Sequence, residues 1–296
     1  MDLGFAEAAL RSATPLLWTV LGETVTQRSG TVNLGVEGEM LVGAAAGFGV
    51  CALTGNPWLG LGAGALAGTL LSCLHALLCV RFRANPFASG ISVWMIGFGL
   101  SATYGAALVG QSIQGFGPLP AALRAIPLLG ALTPTVLLAL LATPLVAAFM
   151  SWTRAGLAIR AVGESLDAAR IAGVAVARVR SGAIALGGAF AGVGGAALSI
   201  DYAQTWSEGM TKGRGLVAVG LVIVARWNPL LALPAALLFG GAEAMSLRVQ
   251  STGTTVSAHL LHTLPYVTCL AVFVLSCLRE REGAGAPAGL RAILDR

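Results

Sequence analysis

The sequence predicts an all-α fold, a polytopic transmembrane helix bundle with about eight or nine membrane segments. Two features of the composition indicate this class: 56% of the 296 residues are hydrophobic, and only 10% are charged. Soluble domains carry about 25% charged residues, so a water-soluble fold of this size could not cover its surface. Soluble enzymes, nucleic-acid-binding proteins and disordered proteins are therefore excluded. A β-barrel is excluded too, because the apolar runs do not alternate with a period of two.

Apolar runs follow one another along the chain with short breaks. A transmembrane helix needs about 20 apolar residues, and most of the runs come close to that length. They cover residues 5–26, 35–54, 57–80, 87–109, 131–152, 182–200, 228–248 and 259–278. A further run at 214–226 is shorter, and we expect it to be a re-entrant or tilted helix. The whole chain, 1–296, is predicted to form one transmembrane domain, with a polar loop at 153–181 and a tail at 279–296.

The basic residues lie mainly on one side of the predicted bundle. The formal net charge is +5, and the arginines concentrate in short loops between apolar runs, as the positive-inside rule describes. If the chain crosses nine times, 13 basic residues fall on the cytoplasmic side and five fall outside. Those outside are Arg11, Arg124, Lys212, Arg214 and Arg248. This arrangement predicts an outer N-terminus and a cytoplasmic C-terminus.

The 40 glycines are too many for isolated helices, and several repeat at intervals of four residues. This spacing places small residues on one helix face, which lets neighbouring helices approach closely in lipid. The repeats are Gly43 and Gly47, then Gly60, Gly64 and Gly68, and finally Gly188 and Gly192. We therefore expect a tightly packed bundle.

A polar segment at residues 27–39, QRSGTVNLGVEGE, interrupts the first two apolar runs. Carboxylates such as Glu37 and Glu39 are costly near membrane depth unless they face protein or water. The three glycines of this segment permit non-helical backbone, which is tolerated only inside protein or around a cavity. Two interpretations stay open: a turn on the cytoplasmic side with solvated acids, or a buried structural or pathway role.

The polar loop 153–181 contains a predicted short helix at 165–171. Ser165 is a plausible N-cap and Gly173 a plausible C-terminal stop, while Asp167 and Arg170 suit the two ends of the helix dipole. An amphipathic helix in a cytoplasmic loop is a natural docking element for a soluble partner. The alternative is a solvated loop or one that binds lipid headgroups.

Two further polar features lie in the second half of the chain. The segment 201–214 is expected on the outer side, where its charges and aromatic residues fit either an interfacial belt or a contact for an external partner. The candidates for that contact are Trp206, Glu208, Lys212 and Arg214. Glu243 is the deepest isolated acid, which makes it a candidate functional residue, although a hydrogen bond to a neighbouring helix would explain it as well.

Motifs for catalysis, nucleotide binding and metal binding are missing from the sequence. No GxSxG elbow occurs, and the only lysine, Lys212, does not lie in a GxxxxGK[ST] loop. His259 and His262 lie three residues apart, but two ligands rarely suffice for a metal. The five cysteines lie in apolar runs without a CxxC pair. We therefore expect no catalytic site, metal or cofactor in this chain, and any ATP to be bound by another chain.

Three segments, at 28–44, 161–180 and 211–230, resemble the permease subunits of bacterial ABC importers for nucleosides and simple sugars. Their sequences are RSGTVNLGVEGEMLVGA, AVGESLDAARIAGVAVARVR and TKGRGLVAVGLVIVARWNPL. This group also contains ribose and branched-chain amino-acid permeases, and the similarity runs in order along roughly residues 15–280. The resemblance implies a type II ABC importer-like bundle in the bacterial inner membrane.

The resemblance also implies partners and coupling residues. The partners are a second, related permease subunit in a heterodimer, an ABC ATPase that holds ATP and Mg²⁺, and a substrate-binding lipoprotein or periplasmic protein. No nucleic acid is involved, and the chain is surrounded by the lipid bilayer. The loop that would seat in a groove of the ATPase contains the residues expected to couple, Arg160, Gly163, Glu164, Asp167, Ala168, Arg170 and Gly173.

Uncharged nucleosides or sugars require a pathway with hydrogen-bonding groups, aromatic faces and little fixed charge. The candidates are Asn33, Glu37, Glu39, Asn85, Ser89, Ser92, Trp94 and Glu243. No basic residue is predicted near the midplane, which favours nucleosides or sugars over amino acids, whose carboxylate needs a partner. Three alternatives stay open: a branched-chain amino-acid ABC permease, an ion-gradient-driven transporter that uses the glutamates as proton or cation sites, and a purely structural subunit.

Overall fold

The structure, a computed structural model, describes residues 3–117, 119, 132–251, 257–279 and 285–290. Arg124 and most of the predicted tail lie outside these residues. In the described part the chain forms α-helices and no β-strand, which confirms the all-α class. The helices are α1 (Leu3–Arg28), α2 (Val36–Thr54), α3 (Pro57–Ala76), α4 (Pro86–Gly105), α5 (Pro134–Trp152), α6 (Arg154–Glu164), α7 (Leu166–Ile171), α8 (Val176–Ala197), α9 (Arg214–Val224), α10 (Pro229–Ser251) and α11 (Ala258–Arg279).

Most of these helices are suited to a membrane. Seven of the described helices are long and apolar enough to cross a bilayer, namely α2, α3, α4, α5, α8, α10 and α11. Helix α1 has 26 residues, a sufficient length, but it carries Glu7, Arg11, Glu23 and Arg28. Helix α9 has only 11 residues, or about 16 Å at the usual rise of an α-helix. The chain is therefore a multi-pass membrane protein.

Three of the long helices begin with the same Asn-Pro signal. In each, the side-chain oxygen of the asparagine accepts a hydrogen bond from a backbone N–H in the first turn. Asn56 accepts from Trp58 at 2.9 Å, Asn85 from Phe87 at 2.9 Å and Asn228 from Leu230 at 3.0 Å. An asparagine N-cap satisfies a free N–H, and proline tolerates the next position because its missing N–H has no partner there. These local signals fix the start of α3, α4 and α10.

The helix ends gather in two places. At one end, Arg28 donates to the Trp227 carbonyl at 2.8 Å and Arg180 donates to the Gly30 carbonyl at 3.3 Å. We call it the arginine-rich end because it also holds Arg83, Arg160, Arg170, Arg178 and Arg226. At the other, the opposite end, Asp201 accepts hydrogen bonds from Thr133 and Thr135. The described chain passes between these ends in α1, α2, α3, α4, α5, α8, residues 203–227, α10 and α11.

Small residues bring the central helices together, as their spacing predicts. A Cβ atom added at Gly43 would lie 2.5 Å from the Gly192 backbone, and one added at Gly64 would lie 2.9 Å from the Gly192 carbonyl. Neighbouring contacts join Gly68 to Gly188 and Gly47 to Gly60. Helix α8 therefore packs at backbone distance against α2 and α3, which requires glycine at these positions.

The passage at residues 203–227 is discontinuous. Residues 203–213 are non-helical, and α9 then begins beside Glu37 of α2 and Glu243 in the middle part of α10. It ends at the arginine-rich end, where Arg28 contacts Trp227. The short apolar run is thus the helical half of a full passage. Among the non-helical residues, Trp206, Met210 and Thr211 are buried, whereas Glu208 and Lys212 are exposed, so this backbone enters the protein only as it approaches α9.

Candidate functional site

Glu37 joins the first and third motif segments at the start of α9. One carboxylate oxygen accepts hydrogen bonds from the Thr211 hydroxyl at 2.6 Å and the Gly213 N–H at 2.8 Å, and the other accepts from the Gly215 N–H at 2.6 Å. Glu37 is 3% exposed. A helix N-terminus presents free N–H groups and a partial positive charge. The start of α9 therefore stabilises the buried, negatively charged Glu37 carboxylate. We call Glu37 with these three donors the helix-start site.

The two glycines of the helix-start site are needed for different physical reasons. Gly213 has a φ of +83°, a left-handed conformation that glycine adopts without steric cost. Gly215 lies against α2, and a Cβ atom there would be 2.6 Å from the Glu37 Cα. The sequence TKGRG is therefore matched to the backbone turn and to the close approach of α2.

A second group of polar side chains lies between α1, α2 and the end of α9. Glu23 accepts hydrogen bonds from the Gln27 side chain and the Asn33 backbone, each at 3.1 Å. The Asn33 side-chain amide donates to Glu39 at 2.8 Å, and the Trp227 indole donates to the Gln27 carbonyl at 2.7 Å. All five are buried, and we call them the buried polar network.

Burial of these residues decides between the two interpretations of segment 27–39. Glu37 and Glu39 are 3% and 0% exposed, so a turn with solvated acids is wrong and both carboxylates are buried. Glu23 is a functional candidate that the sequence reasoning missed. Its signal was a polar pair at positions 23 and 27, four residues apart on one face of α1.

Arg214 and Glu243 form an ion pair inside the helix bundle. The Arg214 guanidinium donates to Glu243, which also accepts a hydrogen bond from Ser12. Arg214 is 7% exposed, and its guanidinium carbon lies 5.8 Å from the Tyr202 ring centre and 5.7 Å from that of Phe239. The expectation that the interior offers no basic residue is wrong. It failed because the last residue of the polar segment 201–214, Arg214, enters the bundle, whereas Glu208 and Lys212 stay at the surface.

A cavity of about 530 Å³ lies beside this ion pair toward the opposite end. Its lining includes Tyr202, Lys212, Arg214, Glu243, His262 and Tyr266. The Tyr266 hydroxyl donates to the Lys212 carbonyl at 2.6 Å, which ties α11 to the chain just before α9. The cavity thus offers aromatic faces and hydrogen-bonding groups next to the discontinuous passage.

The loop 153–181 contains the short helix that its sequence predicts. Ser165 accepts a hydrogen bond from the Ala168 N–H at 3.2 Å, Asp167 pairs with Arg170 at 3.1 Å, and Gly173 has a φ of +78°. The cap, the ion pair and the left-handed stop confirm α7. Among the predicted coupling residues, the exposed ones are Glu164, Asp167, Ala168, Arg170 and Gly173. Helix α7 therefore projects from the arginine-rich end.

Helix α6 and the start of α8 fix this loop to the bundle. Gly163 is buried against the Arg28 carbonyl, where a side chain would clash with the end of α1. Arg180 donates to the Thr31 hydroxyl at 2.7 and 3.1 Å. The chain near its C-terminus also contacts α6, because the Ala288 N–H donates to the Glu164 carboxylate at 3.2 Å. The exposed helix is thus connected through α6 and the start of α8 to segment 28–31, which leads to Glu37 of the helix-start site.

Arg160, the remaining coupling candidate, lies on α6 beside a cavity of about 540 Å³ at the arginine-rich end. It is half-buried. Its Nε nitrogen is buried without a hydrogen-bond partner in the described structure.

The pathway candidates on α4 do not join the carboxylates. Asn85 is the exposed cap of α4, and the exposed Ser92 hydroxyl donates to its own helix at the Ala88 carbonyl, 2.9 Å away. Ser89 is buried and lies 3.0 Å from the His75 Nδ1 atom. Trp94 is half-buried where α4 packs on α2. Only Ser89 and Trp94 therefore contact neighbouring helices, whereas the polar groups of Asn85 and Ser92 bond within α4 itself.

The outer-contact candidates divide into two exposed and two buried residues. Glu208 and Lys212 are exposed, whereas Trp206 is 2% exposed and lies against Gly105. Arg214 is buried in its ion pair. A surface contact by Trp206 or Arg214 is therefore wrong for this structure, because the packing of α4 and α10 covers both side chains.

Comparison with known proteins agrees with this architecture. Residues 5–275 match the family described as "Branched-chain amino acid transport system / permease component". The chain is 40% identical to a Haloferax volcanii protein named "Putative glucose ABC transporter permease protein TsgC13", covering 94% of this chain and 93% of the relative. It is 34% identical to the guanosine ABC transporter permease protein NupQ of Bacillus subtilis, covering 81% of each chain. It is 32% identical to the nucleoside ABC transporter permease protein NupC of Lactococcus lactis, covering 89% of each chain.

The family match covers nearly the whole chain and includes all three motif segments. The relatives are similar over most of their own lengths. This chain belongs to the permease components of the branched-chain amino acid transport system family.

Proposed function

We propose that this chain is the membrane-spanning subunit of an ATP-driven importer for uncharged nucleosides or simple sugars. The observation that carries the proposal is the connection from exposed α7, through Gly163 and segment 28–31, to the helix-start site. Such a connection suits a subunit that receives movement from a partner at one end and changes a pathway in its interior. The names of the relatives, which mention glucose, guanosine and nucleosides, support this substrate class.

The charges in the interior favour a neutral substrate over an amino acid. The free N–H groups at the start of a discontinuous helix are a common site for a substrate carboxylate in transporters. Here Glu37 already accepts the hydrogen bonds of Gly213 and Gly215, and Glu243 neutralises Arg214. The carboxylate of an amino acid would have to compete with the carboxylates of Glu37 and Glu243, which already bind these donors. The branched-chain amino-acid alternative is therefore less well supported.

The coupling step is assigned to an ATPase subunit that holds ATP and Mg²⁺ in its own chain. Helix α7 would seat in that subunit, with Asp167 and Arg170 as exposed contact residues. Closure of the ATPase would move α6 and α7 together. Because Gly163 packs directly on the Arg28 carbonyl, the movement would reach segment 28–33 and then the start of α2.

We infer the orientation and the other partners from the charges and apolar side chains at the surface. By the positive-inside rule, the arginine-rich end faces the cytoplasm, and the opposite end, with exposed Glu208 and Lys212, faces a substrate-binding protein. Exposed apolar side chains on α4 and α11, among them Met95 and Leu270, suit lipid or a second permease. We assign the second permease as a related subunit in a heterodimer in the cytoplasmic membrane.

Co-purification tests the proposed assembly. The chain is tagged in its native membrane, gently solubilised, and the bound proteins are identified. An ATPase and a related permease are expected in fixed proportion to the chain. A charge reversal at Asp167 and Arg170 should release the ATPase and keep the permease. A chain that purifies alone under every solubilisation condition would contradict the assembly and favour the ion-gradient-driven alternative.

A further inference from the structure

Four arginines surround a second cavity at the arginine-rich end. The cavity has a volume of about 750 Å³ and lies between the end of α3, the start of α4, the α6–α7 turn and the start of α8. The arginines are Arg83, Arg170, Arg178 and Arg180, and no aspartate or glutamate lines the cavity in the described structure. We call it the arginine cavity.

Within the part of the chain that the structure describes, most charges of the arginine cavity have no acidic partner. Of the four, Arg170 pairs with Asp167, an exposed residue that does not line the cavity. Arg83, Arg178 and Arg180 form no ion pair within the described residues. Like charges placed around one cavity repel one another, so an anion bound there would stabilise this arrangement.

Hydrogen bonds hold the Arg180 guanidinium in one orientation. Its Nε and Nη2 atoms donate to Thr31 and the Gly30 carbonyl, which fixes the guanidinium plane and leaves the Nη1 atom for a ligand. Guanidinium groups bind phosphate through paired hydrogen bonds, which makes arginine the preferred residue for phosphate recognition. The apolar side chains of Val80, Val162 and Leu166 line the same cavity.

We propose that the arginine cavity binds the phosphate group of an anionic phospholipid. The combination of guanidinium groups with apolar side chains suits a headgroup whose acyl chains continue along the bundle. Basic cavities between transmembrane helices on the cytoplasmic side are suited to anionic lipid headgroups. Because the cavity touches both α7 and segment 30–31 through Leu166 and Gly30, a bound lipid would brace the connection between them.

Lipid retention on the purified chain tests this proposal. The chain is exchanged from mixed phosphatidylcholine and phosphatidylglycerol into detergent, and retained lipid is counted by native mass spectrometry. The test variant is R83Q/R178Q, because neither residue is assigned to coupling. The matched control is R81Q/R154Q, which removes the same charge from exposed residues that do not line the cavity. Size-exclusion profiles establish that all three proteins are folded.

We expect the wild-type chain and the control to retain phosphatidylglycerol in preference to phosphatidylcholine. Loss of charge-assisted hydrogen bonds should weaken retention at least about tenfold in R83Q/R178Q. Equal retention by that variant and the wild type would overturn the proposal. Binding of inorganic phosphate without any retained lipid would overturn the lipid assignment and indicate a free-anion site.

An acidic surface of the ATPase is the competing occupant, and a second measurement separates it. If the isolated folded chain retains no phosphatidylglycerol while R83Q/R178Q loses the ATPase in co-purification, the cavity is a protein contact and the proposal fails. Lipid retention requires neither ATP nor a substrate. Its failure therefore leaves the proposed transport function intact, and failure of that function leaves the lipid site intact.

Discussion

Replacement of Glu37 by glutamine tests the helix-start site with a minimal change. The new amide oxygen can still accept hydrogen bonds from Thr211 and Gly213. The amide nitrogen would face the Gly215 N–H, and no hydrogen bond can form there because both groups are donors. One charge-assisted hydrogen bond is lost and one buried N–H is left without a partner. Together these cost about 2–3 kcal/mol. At about 2–4 °C per kcal/mol for a chain of comparable size, the unfolding temperature should fall by at least about 4 °C.

A thiol-reactive dye measures this unfolding in detergent, because three cysteines become accessible only when the bundle opens. The buried ones are Cys51, Cys79 and Cys269. Glu208→Gln is the matched control: it makes the same chemical change at an exposed position and should leave the unfolding temperature unchanged. An E37Q protein that melts with the wild type would refute the assignment of Glu37 as the carboxylate that holds the start of α9.

Three further outcomes follow from the contacts. Gly215→Ala places a methyl group 2.6 Å from the Glu37 Cα, so it should abolish uptake by displacing α9. Reversal of Asp167 and Arg170 should leave the fold intact, because exposed ion pairs contribute little, but ATP-dependent uptake should be lost because the ATPase is released. Arg214→Gln leaves Glu243 without its cation and should destabilise the chain by about 3–5 kcal/mol, measured with the same dye.

Each of these outcomes has its own control. Gly220→Ala has open space around the added methyl, and uptake equal to the wild type is expected. Coupled uptake in the protein with reversed charges at α7 would remove that helix from the coupling role. The double variant R214Q/E243Q should regain part of the lost stability, because it leaves no unpaired charge. If the double variant is no more stable than Arg214→Gln, the ion pair does not explain the effect.

Local signals in the sequence were sufficient to predict most of the helices. The lengths of the apolar runs and the capped helix at α7 depend on neighbours within a few residues, and the structure agrees with them. The main boundary difference is at α8, which begins at Val176 and not at residue 182. A hydropathy pattern excludes Arg178 and Arg180, although both residues continue the helix at its polar end.

The pairing of polar residues could not be predicted in the same way. Hydropathy records how polar a residue is but not whether a distant partner satisfies it. Arg214 therefore resembled a surface residue, although Glu243 and two aromatic rings surround it. The contact of Glu37 with Gly215 spans 178 positions, and no spacing rule within either segment indicates it. The same limit explains why Glu23 was missed.

Uptake into proteoliposomes distinguishes ATP-driven import from gradient-driven transport. The chain is reconstituted with its co-purified ATPase and second permease, with the substrate-binding protein on the opposite side from ATP, and ion gradients are collapsed. Labelled guanosine and glucose are compared with labelled leucine. We expect uptake of guanosine or glucose that requires hydrolysable ATP, without uptake of leucine. Uptake by the chain alone, driven by an ion gradient and independent of ATP, would contradict this expectation.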